Sequence, residues 1–208
     1  MTRFRFVFSA IVLLVGAGVL VSTTVDSRQR KGKGGIAGKE AQIKRGQYLV
    51  TICACNDCHS PKLMTPMGPM PDTSRLLSGH PAGDSLPSVP PGLIAPAPDK
   101  WGAITNNHLT AWVGPWGTSF TANLTPDVET GLGSWTEDMF VHAIRTGKHM
   151  GTGRQILPPM PWPMYGQMTS EDLSAVFAYL KSLPPVSNAV SDPMTPTGEK
   201  IPTPRVLK

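Results

Sequence analysis

The sequence is poor in cysteine. It has only three cysteines in 208 residues, and all of them lie between Cys53 and Cys58. There is no second C-x-x-C pair and no H-x₃₋₅-H pair elsewhere in the chain. A structural zinc site usually takes its ligands from two such pairs, so the composition argues against a zinc module. A thioredoxin-like dithiol is also disfavoured, because no alternating pattern of strands and helices surrounds the cysteines.

Most of the chain carries no excess of basic residues over acidic ones. The net charge is +5, but residues 1–45 contain nine Lys and Arg against two acidic residues, whereas the remaining 163 contain ten against twelve. A nucleic-acid-binding domain should carry clustered basic residues, so we expect no nucleic-acid partner. The basic N-terminal part is instead typical of a solvated segment close to a membrane.

Only one long apolar run occurs, over residues 6–25, and Arg3 and Arg5 precede it. A basic segment followed by an apolar one is typical of an export signal. The run is long enough to span a bilayer and no A-x-A cleavage site follows it, which favours an uncleaved anchor over a cleaved signal peptide. Either alternative places the rest of the chain on the periplasmic side of a bacterial inner membrane, anchored to it or soluble.

Composition also indicates how the rest of the chain is divided. Residues 26–39 are rich in Gly and charge, which predicts a basic flexible linker. Apolar residues then recur at helical spacing, and we expect one folded domain over residues 40–185. Within it, residues 61–120 hold eleven of the twenty-two prolines, which predicts a long irregular insertion. Residues 186–208 are expected to form a proline-containing tail.

Two amphipathic helices are predicted in the first two thirds of this domain. One leads from Glu40 into the cysteine cluster, and Gly46 within it indicates close approach of another helix. The second should begin with Ser134 as its N-cap, because Glu137 three residues later completes a capping box. Gly147 is expected to end this second helix in a left-handed conformation.

The last helix has the clearest boundaries, since Thr169 can cap it and Pro184-Pro185 end it. Residues 61–120 show no sustained periodicity, and no alternating run of strands and helices surrounds the cysteines. The sequence therefore predicts an all-α protein with long Pro- and Gly-rich loops, preceded by an N-terminal hydrophobic helix.

The chemistry-bearing motif is C-x-x-C-H, formed by Cys55, Cys58 and His59. Two thiols at this spacing can add to the two vinyl groups of one porphyrin, and the adjoining imidazole can then ligate the iron. Cys53 with Cys58 would give a rarer spacing, so we interpret Cys53 as a small buried apolar side chain. The motif predicts one covalently bound haem c, with His59 as the proximal iron ligand.

Met160 is the candidate for the second axial ligand, because Pro159 and Pro161 flank it. Proline fixes the local backbone in extended or turn conformations, so a thioether held there can face a metal. The chain has ten methionines, however, and most such side chains fill apolar cores. Met164 is the main rival.

Several motifs together extend this interpretation. A helix ending in C-x-x-C-H, a later Met and a C-terminal amphipathic helix resemble the class I c-type cytochromes. Over roughly residues 40–185 the chain is similar to the cytochrome c domains of bacterial membrane-bound dehydrogenase cytochrome subunits. The motifs that carry this resemblance are Asn123-Leu124-Thr125-Pro126-Asp127, Gly131-x-Gly133-x-Trp135, Arg145-Thr146-Gly147, Met160-Pro161-Trp162 and Met168-Thr169-x-Glu171-Asp172-Leu173.

The resemblance implies a cytochrome c-like fold and assigns roles to four residues. Cys55 and Cys58 would bind one haem covalently, His59 would be the proximal ligand and Met160 the distal ligand. The expected function is electron transfer without substrate chemistry, between redox partner proteins such as a dehydrogenase or an oxidase. The alternative is a haem peroxidase or a haem sensor, in which the sixth coordination position of the iron is open.

Overall fold

A computed structural model of the chain describes residues 27–204, with side chains from residue 38 onward. The helices are α1 Ser27–Ile52, α2 Cys55–His59, α3 Glu137–Thr146, α4 Trp162–Tyr165 and α5 Ser170–Ser182, with 3₁₀ turns at Thr73–Arg75 and His149–Gly151. The strands are β1 Lys62–Thr65, β2 Gly68–Pro71, β3 Ile104–Thr105, β4 Ala111–Gly114 and β5 Gly117–Phe120.

Helices α1 and α5 pack closely against each other. A Cβ atom at Gly46 would overlap the backbone carbonyl of Ala175, so only glycine allows this approach. Arg45 of α1 donates two hydrogen bonds, of 2.9 and 3.1 Å, to the carboxylate of Asp172 in the first turn of α5. The close helix approach predicted at Gly46 is confirmed.

Helix α3 begins two residues later than the sequence predicts. Its N-cap is Thr136, whose hydroxyl accepts a hydrogen bond from the Met139 amide at 3.2 Å. The prediction of Ser134 as the cap was wrong, because Thr136 supplies an equivalent oxygen closer to the apolar stripe. Gly147 does end the helix, with a φ of 68° that favours glycine.

Helix α5 has the predicted N-cap. The Thr169 hydroxyl accepts from the Asp172 amide at 3.1 Å, and the helix ends at Ser182, two residues before Pro184. One side of α5 packs into the core together with α1 and α3. The buried residues of this core are Leu49 and Val50 of α1, Phe140 and Ile144 of α3, Leu173, Val176, Phe177 and Leu180 of α5, and Leu77 and Leu132 of the loops.

The prediction of an all-α fold was wrong, because the segment 61–120 contains two small antiparallel sheets. One is the hairpin β1–β2, in which Lys62 pairs with Pro71. The other has the strand order β3–β4–β5, with Ala111 opposite Phe120. These strands are only two to four residues long, which is too short for an alternating pattern to stand out in the sequence.

The N-terminal predictions fall largely outside the structure. The predicted hydrophobic helix at residues 6–25 lies outside the described residues, and so does the start of the linker. From residue 27 the chain is already helical in α1, including the positions for which the sequence predicts a flexible linker. No helix in the described range combines the length and apolar character needed to cross a bilayer.

The tail after α5 lies against the rest of the protein as far as residue 204. The Asn188 side-chain amide donates hydrogen bonds of 2.7 and 2.8 Å to the carbonyls of Ser78 and His80. Met194 forms an antiparallel bridge with Thr118 of β5. These contacts bring the tail next to the loops that precede α3.

Candidate haem-binding site

The two cysteines of the motif lie on α2, a five-residue helix that follows α1 almost directly. Ala54 joins the two helices in a left-handed conformation, with a φ of 55°. The chain therefore turns sharply between α1 and the motif. None of the three cysteines forms a disulfide. In the described part of the chain, no three His, Cys, Asp or Glu side chains cluster so as to hold a metal ion.

His59 is buried and its ring is held in one tautomer. Its Nδ1 lies 2.8 Å from the carbonyl oxygen of Ala122, and because a carbonyl can only accept, Nδ1 must carry the proton. Burial lowers the pKa of His59 below its ordinary value, and the positive charge of Lys62 adds to this. The imidazole is therefore neutral and presents an Nε2 lone pair, the form that ligates metals.

Two neighbouring cavities that have lining residues in common lie beside His59, and we call them the cysteine lobe and the tail lobe. The cysteine lobe, about 120 Å³, is lined by all three cysteines and by apolar side chains of α1 and α5. The tail lobe, about 570 Å³, is lined by the loops before and after α3 and by tail residues 189–193, 203 and 204. The residues that line both lobes are His59, Thr121, Leu124, Phe140, Ile144 and Met160.

The structure places Met160 and its rival differently. Met160 lies on the wall shared by the two lobes, as His59 does. Met164 belongs to α4, lines neither lobe and is 72% exposed. Met168 lines the cysteine lobe alone and Met150 the tail lobe alone. Among the described methionines, only Met160 shares with His59 the boundary between the lobes.

The thiols of the cysteine lobe are kept neutral by their surroundings. Burial raises the pKa of Cys55 to about 12 and also raises the pKa of Cys58. A thioether carries no charge, so the lobe can enclose the product of thiol addition as readily as the thiol. Nearby, the Tyr165 hydroxyl donates a 2.7 Å hydrogen bond to the Cys53 carbonyl and fixes the end of α1 to α4.

The tail lobe is more polar than the cysteine lobe, and its wall carries the half-buried cation of Arg154 together with the carboxylates of Glu129 and Asp192. Arg154 donates from Nε to the Thr203 hydroxyl at 2.9 Å, and burial lowers the pKa of Arg154. No other Lys or Arg side chain of the described residues lines either lobe. Thr121 Oγ1 and His149 Nδ1, also on this wall, are buried without a hydrogen-bond partner in the described part of the chain. Burial lowers the pKa of His149 to about 4, so this imidazole is neutral near pH 7.

Sequence reasoning did not identify the polar residues of the tail lobe. Arg154 and His149 lie between α3 and Met160 in a segment without periodicity, and Thr121 directly follows the predicted insertion. An arginine in a proline- and glycine-rich loop was the only available signal. The Ala122 carbonyl, which orients His59, could not have been found at all, because every residue has a carbonyl.

Comparison with curated proteins agrees with the motif. The chain is 29% identical over 154 residues to the gluconate 2-dehydrogenase cytochrome c subunit of Pantoea cypripedii, which covers 74% of this chain and 26% of that protein. It is 26% identical over 140 residues to the cytochrome c subunit of the quinone-linked alcohol dehydrogenase of Gluconobacter oxydans (strain 621H). This match covers 67% of this chain and 21% of that protein. A shorter match, 35% identical over 66 residues, is to the fructose dehydrogenase cytochrome subunit of Gluconobacter japonicus. It covers 32% of this chain and 13% of that protein.

These matches confirm the resemblance that the motifs predicted. The chain is similar to cytochrome c subunits of bacterial dehydrogenases, and this similarity supports a haem electron-transfer role. The chain spans only about a quarter of the length of the gluconate dehydrogenase subunit and less of the other two. No protein-family model matches the chain.

Proposed function

We propose that this chain is a single-electron carrier with one covalently bound haem c. The observation that supports this most is the cysteine lobe, on whose wall Cys55, Cys58, His59 and Met160 all lie. Cys55 and Cys58 would form the two thioether bonds. Nε2 of His59 and the sulfur of Met160 would be the two axial ligands.

The residues present suit a haem at both of its chemically different edges. The apolar cysteine lobe suits the porphyrin edge that carries the vinyl groups. In the tail lobe, Arg154 and the unpartnered atoms of Thr121 and His149 offer a positive charge and polar partners for the two carboxylates. The volume of the tail lobe, about 570 Å³, lies within the range of roughly 300–1,000 Å³ of typical ligand sites.

When bound, haem would supply an iron that exchanges one electron between Fe(III) and Fe(II). The chain itself would fix the axial ligands. Ala122 orients the His59 ring, and the prolines on either side of Met160 restrict its backbone. The buried side chains of Phe140 and Ile144 keep water from the wall that the two lobes share. A dry, apolar surrounding disfavours the more highly charged oxidised state.

We also propose a location and partners, using the segment boundaries that the sequence predicts. Residues 1–25 would direct export as an anchor or a cleaved signal, and residues 26–39 would connect them to the haem domain at residues 40–185. The domain would then lie on the periplasmic side of the inner membrane. Its partners would be redox proteins, with a dehydrogenase favoured over an oxidase by the names of the relatives.

The test is expression of the full chain in a bacterial host that attaches haem to exported proteins. We expect one haem per chain by pyridine haemochrome analysis, retained on a denaturing gel, and a low-spin spectrum with a long-wavelength Met–iron band. Met160→Ala should lose that band and Met164→Ala, its matched control, should keep it.

Two results would contradict the proposal. If the wild-type protein carried no covalent haem, the proposed function would be wrong. A high-spin spectrum with ready binding of cyanide or carbon monoxide would favour the peroxidase or sensor alternative, in which the sixth position is open.

A further inference from the structure

Lys62 is a buried lysine immediately beyond the attachment helix. It is the first residue of β1, three residues after His59, and only 5% of its surface is exposed. Its Nζ donates hydrogen bonds to three backbone carbonyls of the motif turn, those of Asn56 at 3.2 Å, Asp57 at 2.9 Å and Ser60 at 2.5 Å. Three acceptors require three protons, so the group is an ammonium ion.

The position of this ammonium has two physical consequences. Carbonyl groups at the end of a helix carry partial negative charge, and Lys62 donates to two of them on α2, those of Asn56 and Asp57, and to that of Ser60, which follows the helix. Its charge is not neutralised by a close carboxylate, because none of the ion pairs within 4.0 Å among the described side chains includes Lys62. Burial lowers the pKa of Lys62, and the more distant charge of Asp57 opposes this, while the three carbonyl acceptors hold the protonated form. A net positive charge is therefore fixed beside the motif.

The residue is also held through its backbone. The Lys62 amide donates a 3.0 Å hydrogen bond to Nδ1 of His108, and the Ser60 hydroxyl donates to Asn56 Oδ1 at 2.9 Å within the same turn. The Leu77 amide donates in turn to the Ser60 hydroxyl, also at 2.9 Å. The ammonium is thus located by a connected network and not by a flexible surface side chain.

We propose that Lys62 is a positioning residue for the haem attachment turn, and that its fixed positive charge raises the reduction potential of the haem held by Cys55, Cys58 and His59. This inference rests on the proposed function. The oxidised haem carries one more positive charge than the reduced form, so a fixed cation nearby destabilises the oxidised form. Little solvent reaches Lys62, so its effect is weakly screened by salt.

The test compares three variants of the full chain that carry haem. Lys62→Gln keeps hydrogen-bond donors without the charge, and Lys62→Arg keeps the charge. Lys181→Gln is the matched control, because Lys181 Nζ also caps two backbone carbonyls, of Leu132 at 3.2 Å and Gly133 at 2.6 Å, but these carbonyls lie outside the attachment turn. The readouts are haem content, the visible spectrum and the midpoint potential from spectroelectrochemical titration at low and high salt.

We expect Lys62→Gln to lower the Fe(II)/Fe(III) ratio at a fixed ambient potential about tenfold, which is about 59 mV for one electron. Lys62→Arg and Lys181→Gln should stay close to wild type. Loss of haem attachment in the Gln variant but not in the Arg variant would also support the proposal, since it shows that the turn needs the charge. An unchanged potential in Lys62→Gln, or loss of haem in both Lys62 variants, would overturn it. Absence of covalent haem in the wild type would instead contradict the proposed function.

Discussion

The two lobes are built in different ways. The cysteine lobe is formed by α1, α2 and α5, whose side chains there are mostly apolar, and by thiols that burial keeps neutral. The tail lobe is formed by loops and by the tail, with Arg154, His149 and Asp192 on its wall. One lobe excludes charge and the other concentrates it.

This difference matches the chemistry of an amphipathic ligand. An apolar edge gains from the dry cysteine lobe, whereas carboxylates need the cation and hydrogen-bond partners of the tail lobe. We therefore infer that the cysteine lobe retains the ligand and that the tail lobe orients and stabilises it. Changes in the two lobes should have separable effects, and the following predictions test this.

The largest effect should come from the cysteine lobe. Cys55→Ser combined with Cys58→Ser should abolish covalent haem, because no thiols remain at the required spacing. Cys53→Ser is the matched control, since Cys53 lines the same lobe but lies outside the motif. Haem staining of denaturing gels and pyridine haemochrome analysis measure the outcome. Loss of haem in Cys53→Ser with retention in Cys55→Ser would show that the pairing is misassigned.

An intermediate effect is expected from the cation of the tail lobe. Arg154→Gln should leave haem covalently attached but lower the free energy of unfolding of the haem-loaded protein by about 1–3 kcal/mol, because a charge-assisted partner of the carboxylates is lost. Denaturant unfolding followed by circular dichroism measures this.

The control for the tail lobe is Arg45→Gln. Arg45 lines neither lobe and is partly exposed in its two-point ion pair with Asp172, so this variant removes an arginine contact outside the cavity. An Arg154 variant as stable as wild type, or one without covalent haem, would contradict the separation of roles between the lobes.

The smallest effect should be a pH dependence of stability in the tail lobe. Burial lowers the pKa of His149 from 6.5 to about 4, so the unfolded chain binds a proton more readily than the folded one. The contribution of His149 to stability is therefore complete above about pH 6.5 and is lost progressively as the pH falls towards 4. His149→Gln should make the free energy of unfolding less dependent on pH across this window. His142→Gln, at an exposed position, should not change the pH dependence. Identical pH profiles for wild type and His149→Gln would contradict this assignment.

Several parts of the fold could be predicted because they depend on neighbouring residues. The cap at Thr169 and the C-terminal glycine of α3 are set by interactions within one helical turn. Gly46 was informative because glycine within a helix has a cost that close packing explains. The five strands were missed, since each is stabilised by pairing across a short hairpin or sheet and not by a periodic side-chain pattern.

For the candidate site, the sequence alone determined the reactive groups, because Cys55, Cys58 and His59 are nearly contiguous and their spacing is itself the signal. It also indicated Met160 through the prolines on either side. Only the tertiary structure brought Met160 onto the wall that His59 lines and left Met164 exposed. The Ala122 carbonyl that fixes the His59 tautomer and the tail that closes the second lobe come from distant parts of the chain. Contacts of this kind depend on how the helices and loops pack, and no local pattern of residues encodes them.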